Sequence, residues 1–179
     1  ISDYLDNQAI ENVKEKLQRS EDIPVYPFLL PAFAKSALHR YTIFRGPNCF
    51  HASLSFHTQK LARSPFINVS IEDRHHREMI NHDELLRALN TDFYPVNLQK
   101  SALNYGDILV FFDAKQTDPA ALKKIHHQWI KHACVFLFNS YVFSKGSKSA
   151  NSPYLIKTLK EEWLTWQKYT KKLAVQVYR

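Results

Sequence analysis

Two residues in this sequence have the chemistry of a nucleophile and a base: a cysteine at the start of a helical pattern and a histidine at the start of an apolar run. Cys49 follows Gly46, Pro47 and Asn48, which end the preceding segment and supply a preferred helix N-cap. At a helix start, unpaired backbone N–H groups and the positive end of the helix dipole favour thiolate over thiol. The pattern predicts a nucleophilic Cys49, although a lone cysteine is more often a small buried hydrophobic residue.

The base that would serve such a thiol is an imidazole, because its pKa lies near neutral pH. His132 precedes the apolar segment 133–138, so we expect it at the end of a strand, from which it would reach a helix packed on the sheet. The alternative is a histidine whose hydrogen bonds are satisfied within the fold. No HExxH motif or cysteine-rich spacing accompanies the histidines, so the sequence predicts no metal and no cofactor. Those in polar stretches are His75, His76, His82, His126 and His127.

The elements that must position the cysteine and the histidine follow from hydrophobic periodicity. Phe50, Leu54 and His57 continue a helical stripe behind the cysteine. The segments 106–112 and 131–138 contain continuous apolar runs, which predict two central strands. The order is therefore a nucleophile-bearing helix followed by a sheet.

Turn and cap signals predict the rest of this core. A tight turn at 139–140 leads into a returning strand at 141–143, which forms a hairpin. Short helices are predicted to begin at Pro119 and after Thr158. Residues 173–178 are predicted to form the last strand.

Two further regions flank the core. Residues 1–31 contain an amphipathic helix followed by a connector rich in proline. Residues 62–99 are polar and histidine-rich, and we expect them to form an insertion over the core, with Asn81 and Glu84 framing a helix start. Residues 32–44 have no clear period, so the sequence leaves their secondary structure open.

Composition limits the possible classes of protein. With 45% hydrophobic content, residues 1–179 are expected to form one domain around one core. The formal charge of +7 favours an anionic partner, which would be nucleic acid, acidic lipid or an anionic polymer such as bacterial cell wall. Charge alone does not choose among them.

Cysteine content and hydropathy bear on the compartment. The two cysteines, Cys49 and Cys134, provide no disulfide framework. No run of about 18 apolar residues exists, so no transmembrane segment is predicted. The first residues lack a signal-peptide pattern, and the chain starts at Ile1 rather than Met, which leaves room for a leader removed upstream.

The order of three motifs resembles a known family. Cys49 at a helix start is followed by the GDILVFF segment at 106–112 and by the HACVFL segment at 132–137. This order is similar to that of the NlpC/P60 superfamily of papain-like cysteine peptidases. The resemblance implies an α+β fold in which a nucleophile-bearing helix packs on an antiparallel sheet, with Cys49 as nucleophile and His132 as base. The usual Asp-Cys-Ser-Gly motif is replaced here by Asn-Cys-Phe-His.

A third catalytic group, which orients the base, is implied by the same resemblance. In the family it lies on the strand after the base, a register that falls here at Ser144 and Lys145. Asn139 is polar but lies nearer the base, in the predicted hairpin turn. Tyr41 resembles a family tyrosine near the oxyanion pocket, although a packed aromatic role fits its position equally. A permuted acyltransferase branch would use His39, but the two strands after the cysteine favour the unpermuted order.

With the resemblance, these features predict a cysteine amidohydrolase or endopeptidase that cleaves bacterial cell-wall peptides in the periplasm or outside the cell. The alternatives are an acyl hydrolase or acyltransferase on lipid or protein amides, and a non-catalytic basic binding module with the same fold. The expected partners are peptidoglycan or another peptide or acyl substrate and an anionic polymer, whereas nucleic acid is not expected. If His132 is not the base, His39 and His51 are the next candidates.

Overall fold

The computed structural model of the chain describes residues 11, 15–16, 18–19, 30–42, 45–58, 79–114, 129–170 and 172–179. In this part of the chain the fold is α+β, with four helices beside a six-stranded antiparallel sheet. The helices are α1 (Ala32–Ala37), α2 (Cys49–His57), α3 (His82–Asp92) and α4 (Leu159–Gln167). The strands are β1 (Pro95–Val96), β2 (Ile108–Asp113), β3 (Ile130–Phe136), β4 (Tyr141–Lys145), β5 (Tyr154–Thr158) and β6 (Leu173–Tyr178).

The sheet runs in the order β1-β6-β2-β3-β4-β5, and all neighbouring strands in it are antiparallel. β2 lies between β6 and β3, where Leu109 stands opposite Val177 on one side and Cys134 on the other. A strand flanked on both sides and covered on both faces has to be largely apolar, as β2 and β3 are. The two central strands predicted from the apolar runs are confirmed.

Helices cover both faces of the sheet, so alternate strand residues point into two separate cores. The face packed against α2, called the α2 face, carries Val110, Ala133 and Phe143. The face packed against α4, called the α4 face, carries Phe111 and Cys134. Because side chains alternate along a strand, neighbouring residues of β3 belong to different cores.

Local cap signals start three of the helices. Asn48 accepts a hydrogen bond of 3.0 Å from the backbone N–H of His51, and α2 begins at Cys49. α3 and α4 each start with a capping box, the former from Asn81 and the latter from Thr158. The helix starts predicted at these three positions are confirmed.

The β3–β4 hairpin and the last strand also agree with the sequence prediction. Asn139 adopts a left-handed backbone with φ 54° in the hairpin turn, a conformation that Asn tolerates better than most residues. β4 then runs to Lys145, and β6 covers the predicted last strand. The edge strands β1 and β5, which no strong apolar run marks in the sequence, complete the sheet.

Part of the segment expected to form an insertion belongs to the core. Leu85 and Leu89 of α3 are fully buried in the cluster on the α2 face, and β1 pairs with β6 at the sheet edge. The second half of the segment 62–99 is thus part of the core packing and of the sheet. The expectations for most of residues 1–29, for residues 62–78 and for a helix at 119–126 lie outside the described residues.

Candidate active site

Cys49 is the first residue of α2, and its side chain packs between the helix start and β3. Burial raises the pKa of the Cys49 thiol from 9.0 to about 12, and backbone hydrogen bonds of Ala133, Phe50 and Cys49 itself oppose that rise. The residue is 7% exposed, so the loss of solvation outweighs the backbone N–H groups. The thiolate expected from the helix start is therefore not the form that this structure favours at neutral pH.

The structure does not bring Cys49 and His132 together. Cys49 packs on the α2 face, in the cluster that contains Ala133. His132 is the preceding residue of β3, so it points to the α4 face, where its ring stacks on Trp166 with centroids 4.6 Å apart. The expected contact between nucleophile and base is thus not made, because one residue of strand register separates the two faces.

His132 belongs instead to a buried polar cluster on the α4 face. Its Nε2 lies 3.1 Å from Ser144 Oγ and 3.7 Å from Glu162 Oε2. Lys157 Nζ lies 3.6 Å from the other carboxylate oxygen of Glu162. Burial lowers the pKa of His132 to about 4, although the charge of Glu162 acts in the opposite direction, so the imidazole is neutral at pH 7.

The geometry of this cluster differs from a serine-histidine-carboxylate relay. In such a relay the serine and the carboxylate contact opposite nitrogens of the imidazole, whereas here both lie nearest Nε2. His132, Ser144 and Glu162 are each at most 1% exposed, so a substrate does not reach them in this arrangement. Ser144, one of the residues expected in the orienting register, therefore contacts His132 on the face away from Cys49.

Lys145, the other residue in that register, lies on the α2 face together with Cys49. Its side chain is fully buried, and its ammonium donates hydrogen bonds of 2.7 to 2.9 Å to the carbonyls of Ser147, Ser149 and Ser152. Burial lowers the pKa of Lys145 to about 8, and the nearby Cys49 acts in the opposite direction. All three N–H donors are engaged, so the geometry makes Lys145 an anchor for the loop.

The loop that Lys145 anchors reaches the segment before Cys49. Gly46 N–H donates a hydrogen bond of 3.2 Å to the carbonyl of Lys148, which lies in the anchored loop 146–152. Gly46 is buried and precedes the N-cap of α2 by two residues. Lys145 is therefore linked to the start of α2 through the backbone of this loop. The hydrogen bonds of its ammonium go to loop carbonyls and not to an imidazole.

The other predicted site residues are exposed, whereas Cys49 is buried. Asn139 is exposed in the β3–β4 turn, at the opposite end of β3 from Ile130. Tyr41 is 65% exposed, and His39 is exposed with a left-handed φ of 60°. None of these three belongs to the buried cluster that contains Cys49.

Two histidines on the α2 face lie near the start of α2. His51 is buried, its Nε2 lies 3.3 Å from Ser55 Oγ, and burial together with the charge of Lys145 lowers the pKa of His51 to about 4. His82 begins α3, and its ring packs edge-on against Phe50 with centroids 5.1 Å apart. In the sequence His82 lies in a polar stretch. The Asn81 cap predicts a helix that starts at His82, but nothing in the local sequence indicates that this helix packs beside α2.

Asn48 joins these two helix starts. Its side-chain amide donates a hydrogen bond of 2.6 Å to the carbonyl of Ile80, while its oxygen accepts from the backbone N–H of His51. The same oxygen lies 3.4 Å from the backbone N of Ile80. The segment that precedes α3 is therefore held against the N-terminus of α2.

The burial of both thiols predicts slow alkylation in the folded protein. A pKa of about 12 leaves Cys49 with roughly a thousandfold less thiolate at pH 7 than an ordinary thiol, so iodoacetamide should label it slowly. Cys134 should react more slowly still, because it is 0% exposed. Mass spectrometry of labelling time courses measures both rates, with the urea-unfolded chain as control. If Cys49 were labelled at the rate of a free thiol, its pKa would not be raised, and the thiolate predicted from the sequence would be supported.

Comparisons with known proteins give no relative of this chain. No family model, no curated protein and no solved structure matches the chain. None of the helices in the described part of the chain has the length and apolar composition needed to cross a bilayer. Over the same residues, no three His, Cys, Asp or Glu side chains are grouped so as to hold a metal ion.

Proposed function

We propose that this chain is a cysteine amidohydrolase or endopeptidase acting on bacterial cell-wall peptides, with a papain-like core of the NlpC/P60 type. The observation that carries the proposal is the position of Cys49. It is the first residue of an N-capped helix packed on an antiparallel sheet, with backbone hydrogen bonds of Phe50 and Ala133 at its sulfur. A substrate carbonyl oxygen next to that sulfur would meet the N–H donors of a helix start, which stabilise a developing oxyanion.

The proposed reaction starts when substrate opens the site around the thiol, because burial is what holds the thiol protonated. The Cys49 sulfur attacks the carbonyl carbon, and the thiol proton passes through a histidine to the leaving amine. Water then hydrolyses the thioester and restores the thiol. His51 and His82 lie near the start of α2, so we assign the proton transfer to one of them rather than to His132.

The distribution of charge supports an anionic polymer as the substrate. Residues 131–179 contain nine Lys or Arg and two Glu, whereas residues 1–130 contain 15 of each sign. The whole net charge of the chain therefore comes from residues 131–179, and a positive field raises the local concentration of an anionic polymer. A non-catalytic binding module with the same fold is the second candidate, favoured by the burial of Cys49.

Digestion of purified peptidoglycan tests this proposal. The wild-type chain should release peptide fragments, identified by mass spectrometry, and Cys49→Ala should release none. Cys134→Ala is the matched control, because Cys134 lies in the other core and its loss should leave turnover per folded molecule unchanged. Alanine at the histidine that carries the proton, His51 or His82, should slow turnover by roughly a hundred- to ten-thousandfold.

Circular dichroism confirms that each variant is folded before rates are compared. Release of fragments by Cys49→Ala would show that the nucleophile is another residue. Loss of turnover in folded His132→Ala, with His51→Ala and His82→Ala active, would show that the sheet faces rearrange during the reaction. If no variant and no wild-type sample releases fragments, yet the chain binds the wall in a salt-sensitive manner, the binding module is the better assignment.

A further inference from the structure

A groove of about 770 Å³ lies at the end of the sheet away from Cys49. Residues 103–105 line one side of it, and residues 136–139 at the β3–β4 turn line the other. Tyr105 in this groove contacts Phe56 near the end of α2, with ring centroids 5.7 Å apart. Because Phe56 lies seven residues after Cys49, the groove lies about 10 Å along the helix from Cys49.

Both walls of the groove are held by buried interactions. Asp107 is 1% exposed and accepts hydrogen bonds of 2.8 and 2.9 Å from the guanidinium of Arg179. Gly106 N–H donates to the carbonyl of Phe136, and Phe136 N–H donates to the carbonyl of Asp107. Gly106 has a φ of 90°, which a residue with a Cβ rarely adopts. The groove is therefore formed before any ligand arrives, as small-ligand sites usually are.

The backbone of the β3–β4 turn is already paired. Leu137 N–H donates to the carbonyl of Tyr141, and Tyr141 N–H donates to the carbonyl of Phe138, both at 2.9 Å. A peptide that joins a sheet as an extra strand needs free backbone N–H and C=O groups. This wall therefore offers its side chains to a ligand, and recognition of a peptide by strand addition is disfavoured.

The side chains that the groove presents are amides and aromatic rings. Asn104 and Asn139 are exposed, and within the described part of the chain neither side-chain amide makes a hydrogen bond. Phe138 is 39% exposed, and its ring is 5.7 Å from that of Tyr141, which is equally exposed. None of the described lining residues carries a charge. The groove thus combines uncharged hydrogen-bonding groups with the partly exposed ring of Phe138.

We propose that this groove binds a neutral oligosaccharide. The hydroxyl and acetamido groups of such a chain match the donors and acceptors of the amides of Asn104 and Asn139. The apolar faces of its sugar rings match the exposed ring of Phe138. These side chains offer no ion pair to a charged polymer, so a neutral ligand fits the groove better than an anionic one. The proposal goes beyond the reaction proposed at Cys49 and does not depend on it.

Nuclear magnetic resonance titration with the β-1,4-linked tetramer of N-acetylglucosamine tests this inference. The backbone amides of residues 103–105 and 136–139 should shift saturably, with a Kd on the order of 1 mM or tighter. Asn139→Gly keeps the left-handed backbone and removes one amide, and Asn104→Ala leaves the backbone bonds of its loop in place. The double variant should bind at least roughly tenfold more weakly. Asn151→Ala, an exposed asparagine outside the groove, should bind as wild type does.

Two parallel titrations separate the possible occupants. The tetramer of glucose, which lacks acetamido groups, should bind at the same residues but more weakly. An uncharged tetrapeptide of alanine and leucine, blocked at both ends, should not shift them. The inference is overturned if the sugar causes no saturable shift at the groove, if the double variant binds as wild type does, or if the tetrapeptide binds more tightly than the sugar. Each readout is independent of turnover, so the outcome is separate from that of the peptidoglycan digestion.

Discussion

Acidification from pH 7 to pH 4 should destabilise this fold by several kcal/mol, because two buried histidines are held neutral in the folded state. Burial lowers the pKa of His51 and of His132 from 6.5 to about 4 each. The unfolded chain binds protons at these residues near pH 6.5, whereas the folded chain does not until pH 4. Between those values the unfolded state holds more protons, so stability is complete above pH 6.5 and falls as the pH drops toward 4. Each histidine contributes on the order of 3 kcal/mol to that fall.

Urea unfolding at several pH values between 7 and 4 measures this effect. The charged groups near His132 are Glu162 and Lys157, and Lys145 faces His51. The carboxylate of Glu162 opposes the lowering of the pKa of His132, whereas the charge of Lys145 adds to the lowering of the pKa of His51. His39→Gln, at an exposed position, serves as the control substitution. A free energy of unfolding that stays constant from pH 7 to pH 5 would show that these imidazoles are hydrated or already charged.

Lys145→Met should lower the free energy of unfolding by roughly 3 to 5 kcal/mol, since it removes three charge-assisted hydrogen bonds at once. The methionine would occupy the buried channel of the lysine stem but leave the carbonyls of Ser147, Ser149 and Ser152 without their donor. Urea unfolding gives the stability, and hydrogen exchange reports on loop 146–152, whose amides should lose protection in the variant.

Lys148→Met is the matched control for this prediction, because Lys148 lies on the same loop but is exposed. Its effect should stay within about 0.5 kcal/mol, the usual range for a surface substitution. If Lys145→Met were as stable as Lys148→Met, water would be able to replace the ammonium, and the loop would not depend on it. Unchanged protection of the loop would lead to the same conclusion.

Local signals were sufficient to predict most of the secondary structure that the described residues contain. Asn48, Asn81 and Thr158 start helices because a cap acts on its own next three residues. The apolar runs in β2 and β3 predict central strands because no other element of that length needs to be apolar on all sides. These signals require no knowledge of tertiary structure, and each of them is confirmed.

The face on which each site residue lies was not accessible from the sequence. His132 begins a run that is buried on both sides of the sheet, so its alternation carries no mark of which side meets α2. A shift of one residue moves every side chain of a strand to the other face, and the resemblance to a known motif did not resolve that shift. Lys145 shows the same limit, since its burial depends on loop 146–152 returning over it.

The two-sided hydrogen bonding of Asn48 restricts which residues the chain tolerates at that position. A helix cap alone accepts Asp, Ser or Thr about as well as Asn. The bond to the carbonyl of Ile80 adds a need for a donor, which the carboxylate of Asp lacks, and a single hydroxyl oxygen would have to serve both neighbours. Variation at this position is therefore limited by a partner 32 residues away as much as by its own helix.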